Sequence, residues 1–154
     1  MRIWKFSIER SDMVDRQLID KKTSLIKEYI NFLIQKRSTI SEESLKNNFS
    51  LMLEVAYALQ TIIQACIDLC THLASDEEWE LPNNAAHAFK IALRHKVITE
   101  KVCKELENAV KLRNVIVHQY DELDGAVLED VVQNKLTIFS DFITEVNQWL
   151  KSNS

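Results

Sequence analysis

Residues 49–70 read Phe49-Ser-Leu-Met-Leu-Glu-Val-Ala-Tyr-Ala-Leu-Gln-Thr-Ile-Ile-Gln-Ala-Cys-Ile-Asp-Leu-Cys70. Leu45, Phe49, Met52, Ala56, Leu59, Ile63, Cys66, Ile67 and Cys70 fall at three- and four-residue steps and form one apolar stripe. Leu51, Val55, Ala58, Ile62, Ala65 and Leu69 form a second. A helix apolar on two sides is central to a bundle, or packs between its own core and a second subunit. This pattern predicts a helix over residues 42–73. The rest of the chain agrees. Its 154 residues hold one glycine, Gly125, and one proline, Pro82, where average usage gives roughly 18 of the two together. Sheets and turn-rich folds need those residues and long helices exclude them, so the expected class is all-α.

Working outward, Val14, Leu18, Ile19, Leu25, Ile26, Ile30 and Leu33 predict a helix over residues 12–37. Residues 1–11 form an N-terminal arm, either extended or the start of a helix. Two N-caps compete for the next helix. Thr39 with Glu42 makes a capping box, and Ser41 would place Glu42 and Glu43 in a first turn that favours anions. Residues 74–82 read as a loop and residues 84–94 as a short helix. Thr99 caps a helix ending near His118, with Val102, Leu106, Ala109, Val110, Leu112, Val115, Ile116 and Val117 inward. Residues 121–125 break that helix, and Asp124 caps a last helix to about Lys151. The sum is one domain, an antiparallel bundle of four long helices and one short one.

Apolar residues make up 46% and charged residues 27% of the chain, a globular and not a disordered composition. No run approaches the roughly 18 uncharged apolar residues of a membrane span. The N-terminus, soon carrying Glu9, Asp12 and Asp15, does not resemble a signal peptide. Three cysteines in apolar contexts fit a reducing cytoplasm. Cys66 and Cys70 with His72 have no partner pair and read better as small core residues than as metal ligands, so no metal and no cofactor are expected. A net charge of −4 argues against broad nucleic-acid affinity, yet the charge is segregated. Residues 86–118 carry seven Lys/Arg against three Glu, and residues 119–146 carry seven acids against Lys135 alone. The basic run is either a phosphate-attracting surface or an ordinary solvated helix face.

That run leads into Arg113-Asn-Val-Ile-Val-His118-Gln-Tyr120, the densest polar chemistry in an apolar context. On a helix, Arg113, Val117 and Tyr120 share one line, and Asn114, His118 and Asp121 share the next. A helix C-terminus favours a protonated imidazole, and an arginine is a fixed cation suited to phosphate. RNA brings its own nucleophile, the 2′-hydroxyl. Its cleavage by transesterification needs a base, an acid and a cation. One histidine does not serve both proton steps at once, whereas a twofold dimer would bring two His118 and two Arg113 to one cleft. The plain alternative is that Arg113 pairs with a carboxylate, Asn114 bonds locally and His118 caps the helix. Asp68 and His72, four apart near the end of the central helix, either line a site or form an exposed pair. The residues alone leave these alternatives open.

The same stretch resembles the Arg-x4-His-x-Tyr motif of the HepT-like toxins, a branch of the HEPN superfamily. Tyr57-Ala-Leu-Gln60 and Ala65-Cys-Ile-Asp68-Leu are similar to that family's second helix, and Lys111-Leu-Arg-Asn-Val-Ile-Val-His118 to its motif-bearing run. The likeness spans residues 12–150. It departs at Lys111 and Leu112, where aromatic or small residues are frequent, and in the residues before Asp12. The resemblance implies a metal-independent endoribonuclease toxin of the cytoplasm, acting on an RNA such as tRNA or mRNA. It implies catalysis by Arg113 and His118 across a homodimer, with Asn114 orienting the phosphate or the ring. It implies an MntA-like nucleotidyltransferase antitoxin that adenylylates Tyr120, in a dimer or a larger hetero-oligomer. The alternative within the superfamily is a non-catalytic substrate-binding or scaffold subunit.

Overall fold

A computed structural model describes the backbone of residues 2–153 and the side chains from Arg16 on; the arm expected at residues 1–11 lies outside those described side chains. The described residues form seven α-helices and no strand: α1 (Arg2–Lys36), α2 (Glu42–Asn47), α3 (Phe49–Asp76), α4 (Ala85–Arg94), α5 (Glu100–His118), α6 (Gly125–Asn134) and α7 (Thr137–Ser152). The all-α class stands. The count of four long helices and one short one is corrected, because two expected helices are each broken in two. Asn48 leaves helical geometry (φ −129°, ψ 97°) and its side chain accepts from Leu51 N, so it ends α2 and caps α3. Lys135 (φ −128°) similarly separates α6 from α7. The loop after α3 is shorter than expected, since the helix continues to Asp76.

The caps settle the open choices. Ser41 caps α2, exchanging bonds with Ser44, while Thr39 Oγ1 donates to the Lys36 carbonyl at 2.7 Å. Asn84, Thr99 and Asp124 cap α4, α5 and α6. Two helices end on non-glycine residues with positive φ, Glu78 (58°) after α3 and Lys96 (62°) after α4. Each is followed by a 6→1 bond, Trp79 N to Ala74 O and Val97 N to Ala92 O, both 2.9 Å.

α3 is long and apolar enough to cross a membrane on length and composition alone. Its apolar side chains instead fill the bundle: Val55, Ala56, Leu59, Ile62, Ile63, Cys66, Leu69 and Cys70 are buried and join one contiguous core with residues of α1 and α4–α7. α1 runs antiparallel to α3. The Lys36–Glu54 pair (2.7 Å), the Tyr29 and Tyr57 rings (6.0 Å) and the Lys22–Asp68 pair (3.1 Å) mark successive levels. At the Asp68 end, Trp79 stacks on His95 at 3.9 Å and meets Trp149 edge-on, Arg94 pairs with Glu80, and Thr99 N donates to Glu145 at 2.7 Å. At the opposite end, Gln133 donates to the Arg37 and Ile40 carbonyls and Glu129 accepts from Glu42 N. α5 therefore starts at the first end and delivers its C-terminus towards the second. Glu129 and Glu145 of the acidic C-terminal half serve at the starts of α2 and α5.

Candidate active site

Three- and four-residue spacing buries Val102, Cys103, Leu106, Val110 and Ile116 of α5. Leu106, Val110, Arg113 and Val117 lie on one line of that inward face. Towards the end of α5 the face loses its cover: Val117 is 47% exposed, where the pattern predicted it inward. Ile116 in the same turn stays buried, so the open side of the helix end is the one that carries Val117 and His118. Around the same end, Phe49 (70%), Leu53 (43%) and Val127 (45%) are also exposed.

Arg113 is half-buried on this line, and its Nε is enclosed without a hydrogen-bond partner. Asn114 and His118 are exposed. Five residues on a helix amount to about 140° of rotation and 7.5 Å of rise. Arg113 and His118 thus leave the helix on different sides, one inward and one towards solvent. α5 stops at His118, where Gln119 N closes on Val115 O at 2.9 Å. Tyr120 therefore departs from the helical line expected for it. It opens a 3-10 turn, Tyr120–Glu122, held by Glu122 N to Gln119 O (2.8 Å) and Leu123 N to Tyr120 O (3.1 Å). Its ring packs against the core and its Oη is enclosed with no partner, so burial pushes the phenol pKa above its ordinary value.

Asp68 and His72 stand elsewhere in the protomer. They line a groove of about 500 Å³ with Leu18, Lys22 and Leu81, at the end of the bundle away from His118. Asp68 accepts from Lys22 Nζ at 3.1 Å and Gln64 Nε2 at 2.9 Å. Sequence gave no sign of the Lys22 partnership, which joins residues 46 positions apart. Among the described residues no three His, Cys, Asp or Glu side chains gather at metal-binding distance. Cys66 and Cys70 are core residues whose thiols burial pushes far up.

A profile of the ribonuclease HepT-like family matches residues 24–146. An mRNA nuclease HepT of Shewanella oneidensis is 33% identical over 98 residues, covering 64% of this chain and 74% of that protein. A tRNA nuclease HepT of Aphanizomenon flos-aquae is 25% identical over 137 residues, covering 89% and 92%. Among solved structures, a tri-AMPylated Shewanella oneidensis HEPN toxin in complex with its MNT antitoxin has a TM-score of 0.78 at 29% identity, covering 85% of this chain and 97% of that one.

Proposed function

Because this chain belongs to the ribonuclease HepT-like family, we propose that it is the RNA-cleaving toxin of a toxin–antitoxin pair whose second member is a minimal nucleotidyltransferase. Its catalytic groups are Arg113 and His118, and Tyr120 is the residue through which the partner silences it. Nuclease activity and an AMP-transferring partner accord with the relatives, which are mRNA and tRNA nucleases and an AMPylated HEPN toxin bound to its antitoxin.

The observation that carries the site assignment is the uncovered end of α5. Arg113 and Val117 lie on the line that further back fills the core, yet Val117 is open to solvent. A second copy related by a twofold axis would cover this end and bring two His118 and two Arg113 together. One His118 takes the 2′-hydroxyl proton as O2′ bonds to phosphorus. The other protonates O5′ as the P–O5′ bond breaks, leaving a 2′,3′-cyclic phosphate. Arg113 balances the charge that builds on the phosphorane, and Asn114 orients the phosphate. Nothing in this sequence of steps calls on a metal. The substrate is a cellular RNA, mRNA or tRNA, met in the cytoplasm, and the working unit is a homodimer that enters larger assemblies with the antitoxin. In silencing, Tyr120 Oη attacks the α-phosphorus of ATP, pyrophosphate leaves, and the phenol proton passes to solvent. The phosphate so added is an anion placed close to Arg113 and His118.

RNA cleavage in excess chelator tests this, comparing wild type with His118→Ala and Arg113→Ala. The wild type should leave cyclic-phosphate 3′ ends, and His118→Ala should lose on the order of 10²–10⁴-fold in rate. Equal activity in all three proteins would sink the catalytic assignment.

A further inference from the structure

Four lysines stand on the outer side of α4 and α5. Lys90, Lys101, Lys104 and Lys111 are exposed, and no hydrogen bond or ion pair to any of them occurs among the described residues. Arg94 differs, since it pairs with Glu80. Their register is regular. Lys104, Lys111 and His118 are seven residues apart, two helical turns less about 20°, so they lie on one line at steps of about 10.5 Å. Lys101 is one turn further back. Lys90 of α4 faces Lys104 across a groove of about 460 Å³ that Leu93, Cys103, Glu100 and Glu107 also line. Glu107 is engaged with the Cys103 thiol at 3.4 Å, and Glu100 lies in the first turn of α5. Asn108 and Asn114 are exposed between the lysines, and Glu105 between Lys104 and Lys111 is half-buried.

Glu100 and Glu107 stand four residues before Lys104 and Lys111, the order that favours attraction along a helix, yet neither closes an ion pair with its lysine among the described residues. A charged row that ends on the catalytic histidine supplies its own direction. We propose that this row is a backbone-tracking site for a single RNA strand, which holds the phosphates flanking the scissile bond along roughly 25 Å of α5. The inference rests on the ribonuclease reading above for its substrate. The row reads phosphates and no bases, so it raises affinity for any strand long enough to reach it and leaves the bond-breaking step alone.

The test is a variant with Lys90, Lys101, Lys104 and Lys111 all changed to Gln, its folding checked by circular dichroism and thermal melting. Binding of a fluorescent single-stranded RNA of about 20 nucleotides is followed across salt concentrations, with kcat and KM measured on the same strand and on a trinucleotide. Four single-strand phosphate contacts contribute a slope of about −2.8 in log K against log salt. The variant should lose about that much slope and raise KM for the long strand tens- to hundreds-fold at 0.1 M salt. Its kcat, and its activity on the trinucleotide, should stay at wild-type values. An unchanged salt slope and KM overturn the proposal. So does a variant that keeps both but no longer binds the nucleotidyltransferase, which would make the row a protein-docking surface. If the wild type binds RNA without cutting it, the nuclease reading fails while the slope difference still decides the lysine row.

Discussion

Replacing Tyr120 by Phe removes one oxygen, and its sign is the informative part. Tyr→Phe changes in a protein interior ordinarily cost stability, because the hydroxyl had a partner. Here the ring packs on the core while Oη is enclosed and has no hydrogen-bond partner among the described residues. An enclosed hydroxyl that gave up water without replacement costs the fold about 1–3 kcal/mol, and part of that is offset by the contacts the oxygen makes. Tyr120→Phe should therefore stabilise the protein by about 1 kcal/mol. With a urea m-value of about 2 kcal/mol/M for a chain of this size, the midpoint should rise by about 0.5 M at unchanged m. The measurement is best made in a His118→Ala background, which under the roles proposed for His118 and Tyr120 spares the host an unsilenced toxin; His118 is exposed and leaves the packing alone. Alkaline pH gives a second reading. Burial raises the Tyr120 pKa above 10.0, so the folded state holds its proton more tightly than the unfolded chain. That contribution is complete below pH 10 and is lost as pH climbs through the folded value. The advantage of the Phe variant should widen above pH 10. A midpoint that falls by 0.5 M or more, with a gap that narrows at high pH, would refute the reasoning and give the hydroxyl a partner in solution.

Two further outcomes follow from local geometry. Lys96 sits at φ 62°, where a Cβ costs about 1–2 kcal/mol and glycine none, less the chain entropy glycine adds to the unfolded state. Lys96→Gly should therefore raise stability by about 0.5–1 kcal/mol, and Lys96→Ala should not; a loss on the glycine change, read by urea midpoint, would mean the lysine side chain anchors the turn. The thiols of Cys66, Cys70 and Cys103 are all buried, with Cys103 pushed up to about 12. At pH 8 they should react with a disulfide reagent only as fast as the protein unfolds, and one thiol reacting within seconds would contradict the packing.

The fold was legible wherever one physical signal ran unopposed. Paired apolar stripes over α3 and the near absence of glycine and proline leave helices as the outcome, and Thr99 and Asp124 announce themselves as caps. The breaks at Asn48 and Lys135 were not legible, because the apolar period passes straight through both: Leu45, Phe49 and Met52 keep helical spacing across Asn48. A single side chain accepting from Leu51 N is enough to end one helix and start another there, and periodicity averages over such an event. Glycine-free C-caps are the converse. Glu78 and Lys96 adopt positive φ because the 6→1 bonds and the apolar contacts of Trp79 and Val97 hold them there, which composition does not record.

At the candidate site, the sequence marked out the residue types but not their depths. Arg113 stands on the line of Leu106 and Val110, a position where an aliphatic side chain would serve the fold better. Among the described residues, the enclosed side-chain polar atoms without a partner are Arg37 Nε, Arg113 Nε and Tyr120 Oη, and two of these fall within eight residues of each other. Packing alone does not select such a cluster, since each unsatisfied group works against folding. The cost has a use if Arg113 must reach over an uncovered helix end towards a phosphate, and if the hydroxyl of Tyr120 must stay hidden until its turn opens. The 3-10 turn is held by two main-chain bonds and lies between the helix stop at His118 and the cap at Asp124. Such a segment can open locally while the bundle behind it stays folded, so under the role proposed for Tyr120 its hydroxyl can meet an AMP-transferring partner without unfolding the helix that carries Arg113 and His118.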